Sequence, residues 1–522
     1  MSKNASSGRT IVVDIGTGSA KSVLFDNYRL PVHAEVGRYP AGSETGGEID
    51  PEVWWNAFRQ ALLALGRSAD LSAVNRIVLT GQMQNLILLR GGETTSLTAA
   101  GGEAVAVRSA ILYHDTRGED YLERLYERIP RERLIAITGN TPDGSGFPAK
   151  LLALEVSGTA YDRLFCGAHD FVAYRLTGTA RTDRTTAGTT GLLDIRAGDW
   201  SAEIADAIGI DRDCLPEVCS ASAVDGIVPP DLARELGLPG SVQVIHGAGD
   251  VGASVLASEL TGGRVGCYLG TSGWVLDEAA AGQLGDPETG VFNLPHPITP
   301  GIVRVAPLLT AAGAVEWLSE ILSSDETERI ALFRTLGSAA AERVGPSGKG
   351  PTRIMFLPHL AGERSPFKDP AASGAFIGLR RETDRVTLFK AVLEGVSFAV
   401  RSVLEPLAAN RGATEELLVS GGGATIPGWP ELLADVSGVP VRVAADARFA
   451  GGRGMLRVLD AGHHAPGTAS APPGDDGPDE PVFAANTERH AAYDAYYRVF
   501  ARVYPSLGEI MHSIHALNMQ RT

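Results

Sequence analysis

Four short segments carry residue types that could do chemistry. The first, Asp14–Lys21 (DIGTGSAK), ends an apolar, β-branched run in a carboxylate and follows it with Gly16, Thr17, Gly18, Ser19 and Lys21. Glycines let backbone approach an anion closely, small hydroxyls add donors, and successive turn amides can form an anion nest. An Asp at the strand end can hold a hard cation, directly or through water. The same residues also make an ordinary hairpin turn, and on this segment alone the two readings weigh equally. It is not a P-loop, because no Gly-Lys-Ser/Thr follows and the next element reads as a strand. The second segment, His246–Asp250 (HGAGD), puts a carboxylate where a strand stops and a helix opens, the place where α/β folds hold ligands. Asp250 could take a proton from a hydroxyl nucleophile or could cap the helix. The third, Gly270–Gly273 with Thr271 and Ser272, repeats the turn chemistry of the first. Two such turns facing each other would clamp a polyphosphate. The fourth, Gly421, Gly422, Gly423 and Ala424, offers side-chain-free backbone on which an adenosine could rest.

The elements that must position these groups follow from periodicity. Thr10–Asp14, Ser22–Phe25 and Val32–Val36 read as three sequential strands of an antiparallel meander, turning at Asn27 and Tyr28. Pro51–Leu65 keeps Trp54, Ala57, Phe58, Ala61, Leu62 and Leu65 on one helical face, with Pro51 in its first turn. Arg76–Leu79 is a strand leading into TGQMQN, and Thr182–Ile195 reads as strand-rich. Ser241–Ile245 is a strand, with a helix from HGAGD to Leu256. Val265–Leu269, GTSG and Trp274–Leu276 repeat the opening strand–turn–strand pattern, so the second half is expected to begin like the first. His464–Pro481, rich in Pro, Gly and Asp, reads as a flexible linker. Beyond it Asn486 caps a helix with Tyr493, Tyr497, Phe500 and Tyr504 on one face, expected to pack on the body.

The whole reads as α/β with two similar lobes. The chain has 522 residues, 44% hydrophobic and 21% charged, the balance of a globular protein of two or three domains. A net charge of −16 without a Lys/Arg block excludes a general nucleic-acid surface. A nucleotide can still be held by amides and a cation. Four Cys without a CxxC pair are read as idle thiols in a reducing compartment. With a polar N-terminus and no apolar run of about 18 residues, the expectation is a cytoplasmic protein with no membrane partner.

The order of motifs resembles the FGGY carbohydrate kinases, most closely the xylulokinase branch, over nearly the whole chain from about Ile11 to Pro505. The resemblance rests on DIGTGSAK, TGQMQN (Thr80–Asn85), YHDTR (Tyr113–Arg117), GFPAKLLAL (Gly146–Leu154), FVAYRLTG (Phe171–Gly178), HGAGD, YLGTSG, AVLEGVSFAVR (Ala391–Arg401) and GGGATIPGWPELLADVSG. Above all it rests on FLPHLAGERSPFKDPAASGAFIGL (Phe356–Leu379). It implies two actin-like, ribonuclease-H-like lobes closing on a cleft, with an N-terminal lobe at 8–255 and a C-terminal lobe at 256–463. A linker at 464–481 and a helical tail at 482–522 follow. It also implies transfer of the γ-phosphoryl of MgATP to a sugar hydroxyl, with ATP and Mg²⁺ as cofactors and a homodimer by family habit. Carried onto this chain, Asp250 matches the catalytic base and Asp14 the magnesium-positioning carboxylate. Gly16–Ser19 with Lys21 and Gly270–Ser272 match the phosphate turns, and Gly421–Ala424 the adenosine loop. Met83, Gln84, Asp115 and Asp250 fall on the sugar side. Gln84 and Asn85 stand where such members read His-Gly, and Val251 where Asn is usual. Three changes in the expected acceptor pocket leave D-xylulose, another sugar or polyol, or an acid such as gluconate open as acceptor. A silent sugar sensor would need a lost carboxylate; both are present. An actin-like filament would lack the YHDTR segment.

Overall fold

The structure, a computed structural model, describes residues 8–27, 29–90, 105–156, 158–258, 260, 263–323, 325–342, 350–408, 413–444, 450–461 and 481–519. Two large sheets form its frame. In the first, β1 (Arg9–Ile15), β2 (Ser19–Phe25) and β3 (Pro31–Arg38) make the antiparallel meander. β4 (Val74–Gly81) runs parallel to β1. Beyond it come β5 (Val224–Ile227) and β6 (Gln243–Gly249), β6 parallel to β4, giving the order β5-β6-β4-β1-β2-β3. In the second sheet β7 (Arg264–Leu269) and β8 (Gly273–Ala279) form the hairpin around GTSG. β9 (Phe292–Pro295) and β10 (Ile302–Leu308) extend it on one side. β11 (Glu416–Ser420), β12 (Val441–Val443) and β13 (Val482–Phe483) extend it on the other, in the order β9-β10-β8-β7-β11-β12-β13. The repeat expected from the two Gly-Thr hairpins is thus a repeat of topology: β3-β2-β1-β4-β6 corresponds to β10-β8-β7-β11-β12.

Helix α1 (Pro51–Ser68) starts where Asp50 accepts the Glu52 amide and Pro51 occupies its first turn, and it buries Trp54, Phe58, Leu62 and Leu65 against β1–β4. α2 (Ala168–Thr177) and α3 (Asp250–Ser258) lean on the same lobe. α3 runs across the 255/256 boundary expected from sequence. α4 (Arg385–Ala408) is the central helix of the second lobe, buried along most of its length. α5 (Thr487–Met519) is the expected tail helix: Asn486 accepts the Arg489 amide at 3.0 Å, and Tyr493, Tyr497 and Phe500 pack on Phe398 of α4. The Tyr493 hydroxyl donates to buried Glu394 at 3.0 Å. The expected linker at 464–481 lies, save its last residue, outside the described residues, as does Tyr28 of the first turn.

Thr182–Ile195 is not strand-rich. Strand covers Arg181–Asp183 and Leu193–Asp194, and Arg184–Gly188 between them is helical. Asp183 accepts the amides of Thr185 and Thr186, so a helix cap overrides the β preference of the threonines.

The halves of the chain are interleaved. The helical segment Ala450–Leu456 packs on α3, where a Cβ on Gly454 would lie 2.3 Å from the Ala253 carbonyl oxygen. Met455, Leu456 and Val458 complete a core with Val12, Phe25, Val78, Ile245 and Ala253. On another face a buried pair of asparagines joins the lobes: Asn140 Nδ2 donates to the Asn293 carbonyl at 2.9 Å, and the Asn293 amide donates to Asn140 Oδ1 at 2.8 Å.

Candidate active site

The ends of β1 and β6 bring Asp14 and Asp250 together. Asp14 stands one residue before the first hairpin, paired in register with Lys21 on β2 and with Thr80 on β4. Its carboxylate reaches solvent through the cleft, yet protein surrounds it. Crowding out of water pushes it up to about 6, against the pull of the Lys21 charge. Asp250 opens α3 half-buried. Desolvation, then the negative charge of Asp14, pushes it up to about 7 although the Val251 amide bonds its Oδ1 at 2.8 Å. Asp250 is thus the first residue of the helix, takes the amide of the residue after it, and carries a carboxyl held up near neutral pH by burial and by Asp14. Two carboxylates at one cleft floor, with small hydroxyls beside them, are a donor set suited to a hard divalent cation.

The first hairpin is shaped by backbone. The Gly16 amide donates to the Ser19 carbonyl at 3.0 Å, and the Tyr39 hydroxyl and Gln82 Nε2 both donate to the Gly16 carbonyl, at 2.7 and 3.3 Å. Thr17 and Gly18 at the tip are open to solvent. The second hairpin is held from behind: the amides of Ala311 and Gly313 donate to the Thr271 carbonyl and that of Ala312 to the Gly270 carbonyl, leaving Thr271 and Ser272 exposed. Tyr268, two residues before the second hairpin, is close enough to feel the charges of both Asp14 and Asp250, though burial does more to push its phenol up.

The glycine loop is only partly open. Gly421 has φ +88°, and a Cβ on it would lie 2.6 Å from the Leu269 carbonyl oxygen; one on Gly423 would lie 2.7 Å from Leu269 Cβ. Both glycines are demanded by packing, and Ala424 is buried. Only Gly422 presents open backbone, with nothing within 4 Å.

On the other side of Asp250, Met83 packs against the Cα of Gly249. Gln84 adopts φ +58°, a costly conformation for a residue with a Cβ, and its Nε2 reaches the carbonyl and hydroxyl of Ser145 at 3.4 and 3.3 Å. Ser145 is fixed by Asp143, and Asp143 Oδ2 accepts from Lys368 Nζ of the second lobe at 2.9 Å. Asp115 is placed nearby, but both its oxygens are taken by Arg117 at 2.8 Å, and Arg117 also pairs with Glu48. Asn85 lies wholly inside the protein, its Nδ2 on the Gln82 carbonyl at 3.2 Å, so it does not line the acceptor pocket. Val251 packs with Trp274 and Phe292 on the apolar cluster of Met83.

Residues not singled out from sequence complete the surroundings. Burial and the charge of Asp250 push the Tyr113 phenol up, while nearby Arg364 pulls it down. Arg131, Asn140, Asp143, Glu288, Arg364 and Lys368 surround an interlobe cavity of about 360 Å³ beside these groups. Beneath Asp250, His169, Asp170, Asp183 and His246 form a fully buried cluster. A His next to an Asp inside the apolar run AHDFVAYRL, and a His four residues before Asp250, were the available signals, but only folding joins them.

A model of the FGGY family of carbohydrate kinases, N-terminal domain, matches residues 9–257, and the C-terminal domain model matches residues 265–458. The chain is 28% identical over 509 residues to a xylulose kinase of Escherichia coli, covering 96% of this chain and 99% of that protein. It is likewise 28% identical to an autoinducer-2 kinase of another E. coli strain, covering 83% of this chain and 82% of that one. A solved xylulose kinase of Brucella ovis superposes with a TM-score of 0.81 at 29% identity, covering 96% of this chain and all of that one. A gluconate kinase of Lactobacillus acidophilus shares the fold, with a TM-score of 0.79 at 21% identity over 96% and 98% of the two chains.

Proposed function

The chain belongs to the FGGY family of carbohydrate kinases, a family of phosphotransferases with an alcohol acceptor and ATP as co-substrate, and from that premise we propose that it phosphorylates a small ketose, first among them a ketopentose such as D-xylulose. The observation that carries the reading is the pair of carboxylates, Asp14 and Asp250, brought together at the ends of β1 and β6 near Tyr268, which leads into the second hairpin. Phosphoryl transfer needs alignment and charge neutralisation more than covalent help. Asp250 orients the acceptor hydroxyl and takes its proton, and a carboxyl titrating near 7 is matched to that task. Asp14 would hold Mg²⁺, which when bound neutralises charge on the phosphates. The amides and hydroxyls of Gly16–Ser19 and Gly270–Ser272, with Lys21, cradle the polyphosphate, and Gly422 offers open backbone for the adenosine. Met83 and Gln84 shape the acceptor side. Lobe closure would keep water from competing as acceptor.

A sugar acid as acceptor is favoured by one observation. Of the three cations around the interlobe cavity, Arg131 pairs with Glu288 and Lys368 with Asp143, whereas Arg364 makes no ion pair among the described residues. An acidic acceptor would supply its partner.

The test is ADP release with MgATP over a panel of ketopentoses, ketohexoses, polyols and aldonates, with Asp250→Ala as control. One acceptor is expected to stimulate release and the variant to lose it. Stimulation that survives Asp250→Ala refutes the assigned base, and stimulation by an aldonate alone replaces the ketopentose reading with the acid.

A further inference from the structure

The strand that carries Asp250 is broken. β6 loses register with β4 between Ile245 and Ala248. Inside the break Gly247 takes φ +78°, and a Cβ there would lie 1.7 Å from the Leu79 carbonyl oxygen. This is a β-bulge, a device that bends a strand and re-aims the residues after it, often beside an active site. Here those residues are Gly249 and Asp250. A bulge also gives up ladder hydrogen bonds, so the new direction must be held by something else.

Side chains hold it from both ends. At the start of the break, His246 Nδ1 lies 2.8 Å from Asp225 Oδ2 and its Nε2 lies 3.2 Å from Asp170 Oδ1. After the bulge, the Gly249 amide donates to Asp183 Oδ2 at 3.1 Å. His169 Nε2 closes the circuit, 3.1 Å from both Asp170 Oδ1 and Asp183 Oδ2. The outer oxygens are anchored to backbone. Asp170 Oδ2 accepts the amides of Cys166 and Gly167, and Asp183 Oδ1 those of Thr185 and Thr186. All five side chains are fully buried. A buried network is worth most when its members are satisfied; here only His169 Nδ1 and Asp225 Oδ1 of these side chains are buried without a hydrogen-bond partner among the described residues.

Two His and two Asp whose ligand atoms all lie within 4.8 Å of one another could also hold a divalent ion. His169 argues against it. Bound to a metal through Nε2, it would carry its proton on Nδ1, which is buried with no hydrogen-bond partner among the described residues. A ligating His normally donates that second N–H. Donating through Nε2 instead, His169 leaves only a lone pair unpaired, while its N–H bonds Asp183 Oδ2 with Asp170 Oδ1 3.1 Å away.

We propose that this network is a clamp on the bulge, with His169 and Asp183 acting as positioning residues that fix the direction in which Gly249 delivers Asp250. His246, Asp170 and Asp225 hold the near side still. The inference rests on Asp250 being the base. Burial opposes a charge on His246, but the neighbouring Cys219, Asp225 and Asp170 outweigh it and hold that imidazole well above its ordinary range.

The test uses the full-length enzyme with the acceptor that the ADP-release panel identifies. His169→Leu removes the bridge, and His169→Gln restores an N–H donor facing the two carboxylates. His169→Leu is expected to lower kcat about 10²-fold, the scale of a misplacement of about 1 Å. The KM values for ATP and sugar should stay within about threefold of wild type, and His169→Gln should recover most of kcat. A folded Leu variant with wild-type kcat, or Leu and Gln variants equally impaired, overturns the proposal. Should the Leu variant not fold, ¹⁵N NMR of the wild-type imidazoles decides. His246 protonated on both ring nitrogens and His169 on Nε2 alone is expected; a neutral His246, or a His169 proton on Nδ1, overturns the clamp. Failure of the kinase reading itself is seen elsewhere, as ADP release indifferent to Asp250→Ala.

Discussion

The two lobes share one sheet order and place different chemistry at the same point of it. In the first, β1 ends Asp14–Ile15 before Gly16; in the second, β7 ends Tyr268–Leu269 before Gly270. The position of the carboxylate is taken by a phenol whose ring stacks on Trp274, with centroids 4.3 Å apart and planes inclined by 19°. The repeated frame decides where a strand-end residue meets the cleft, and the residue type decides whether that place handles charge or presents a flat surface. The hairpins differ likewise: the first is drawn together by Tyr39 and Gln82, the second is tied to the helix behind it.

The largest test of that asymmetry is at the strand ends. Asp14→Ala is expected to lower kcat by about 10³-fold, because the carboxylate that would hold the charge-neutralising Mg²⁺ is lost. Tyr268→Ala, the equivalent change in the second lobe, should act mainly on the KM for ATP. Steady-state kinetics on both variants checks it, and comparable kcat losses would erase the distinction.

Next comes pH. With Asp250 pushed up to about 7, kcat/KM should rise with pH through that value and level off above it. The stability consequence has the opposite sign. The folded-state value lies above the ordinary 3.8, so between the two the native state binds more protons than the unfolded state, and stability falls as pH rises. Asp250→Asn should therefore raise Tm more at pH 8 than at pH 5; an equal gain at both would detach the shift from folding.

The glycines offer a smaller effect. Gly421→Ala, with φ +88° and the Leu269 carbonyl in the way, should cost roughly 1–3 kcal/mol of stability. Gly18→Ala, with no atom within 4 Å of the new methyl, should stay within about 0.5 kcal/mol. Denaturant titration of both would show whether the two Gly turns are built for different reasons. The smallest expected change is Tyr268→Phe, which keeps the ring stacked on Trp274 and should leave ATP affinity within about twofold of wild type.

Much of this was legible in the residues. The meander, the first helix, the strand ends at Asp14 and Asp250 and the second hairpin all follow from short apolar runs punctuated by glycine, because such runs are decided locally. What failed was decided by partners. Thr182–Ile195 looked like strand until the Asp183 side chain captured two amides. Asn85 looked like an acceptor contact, but the β4 strand end turns it into the core. The bulge clamp joins residues from Cys166 to Gly249 that no periodicity connects and that only the folded chain brings together.

The docking of Ala450–Leu456 on α3 has a bearing on how the chain is made. Val12, Phe25, Ile245 and Ala253 belong to the first half, yet their core is finished by Met455, Leu456 and Val458, synthesised long afterwards. A nascent first half therefore waits on the ribosome with an apolar face uncovered, a state open to aggregation. The two halves, alike as their sheets are, do not amount to separable folding units: expressed apart, each would lack a piece that only the other end of the polypeptide supplies.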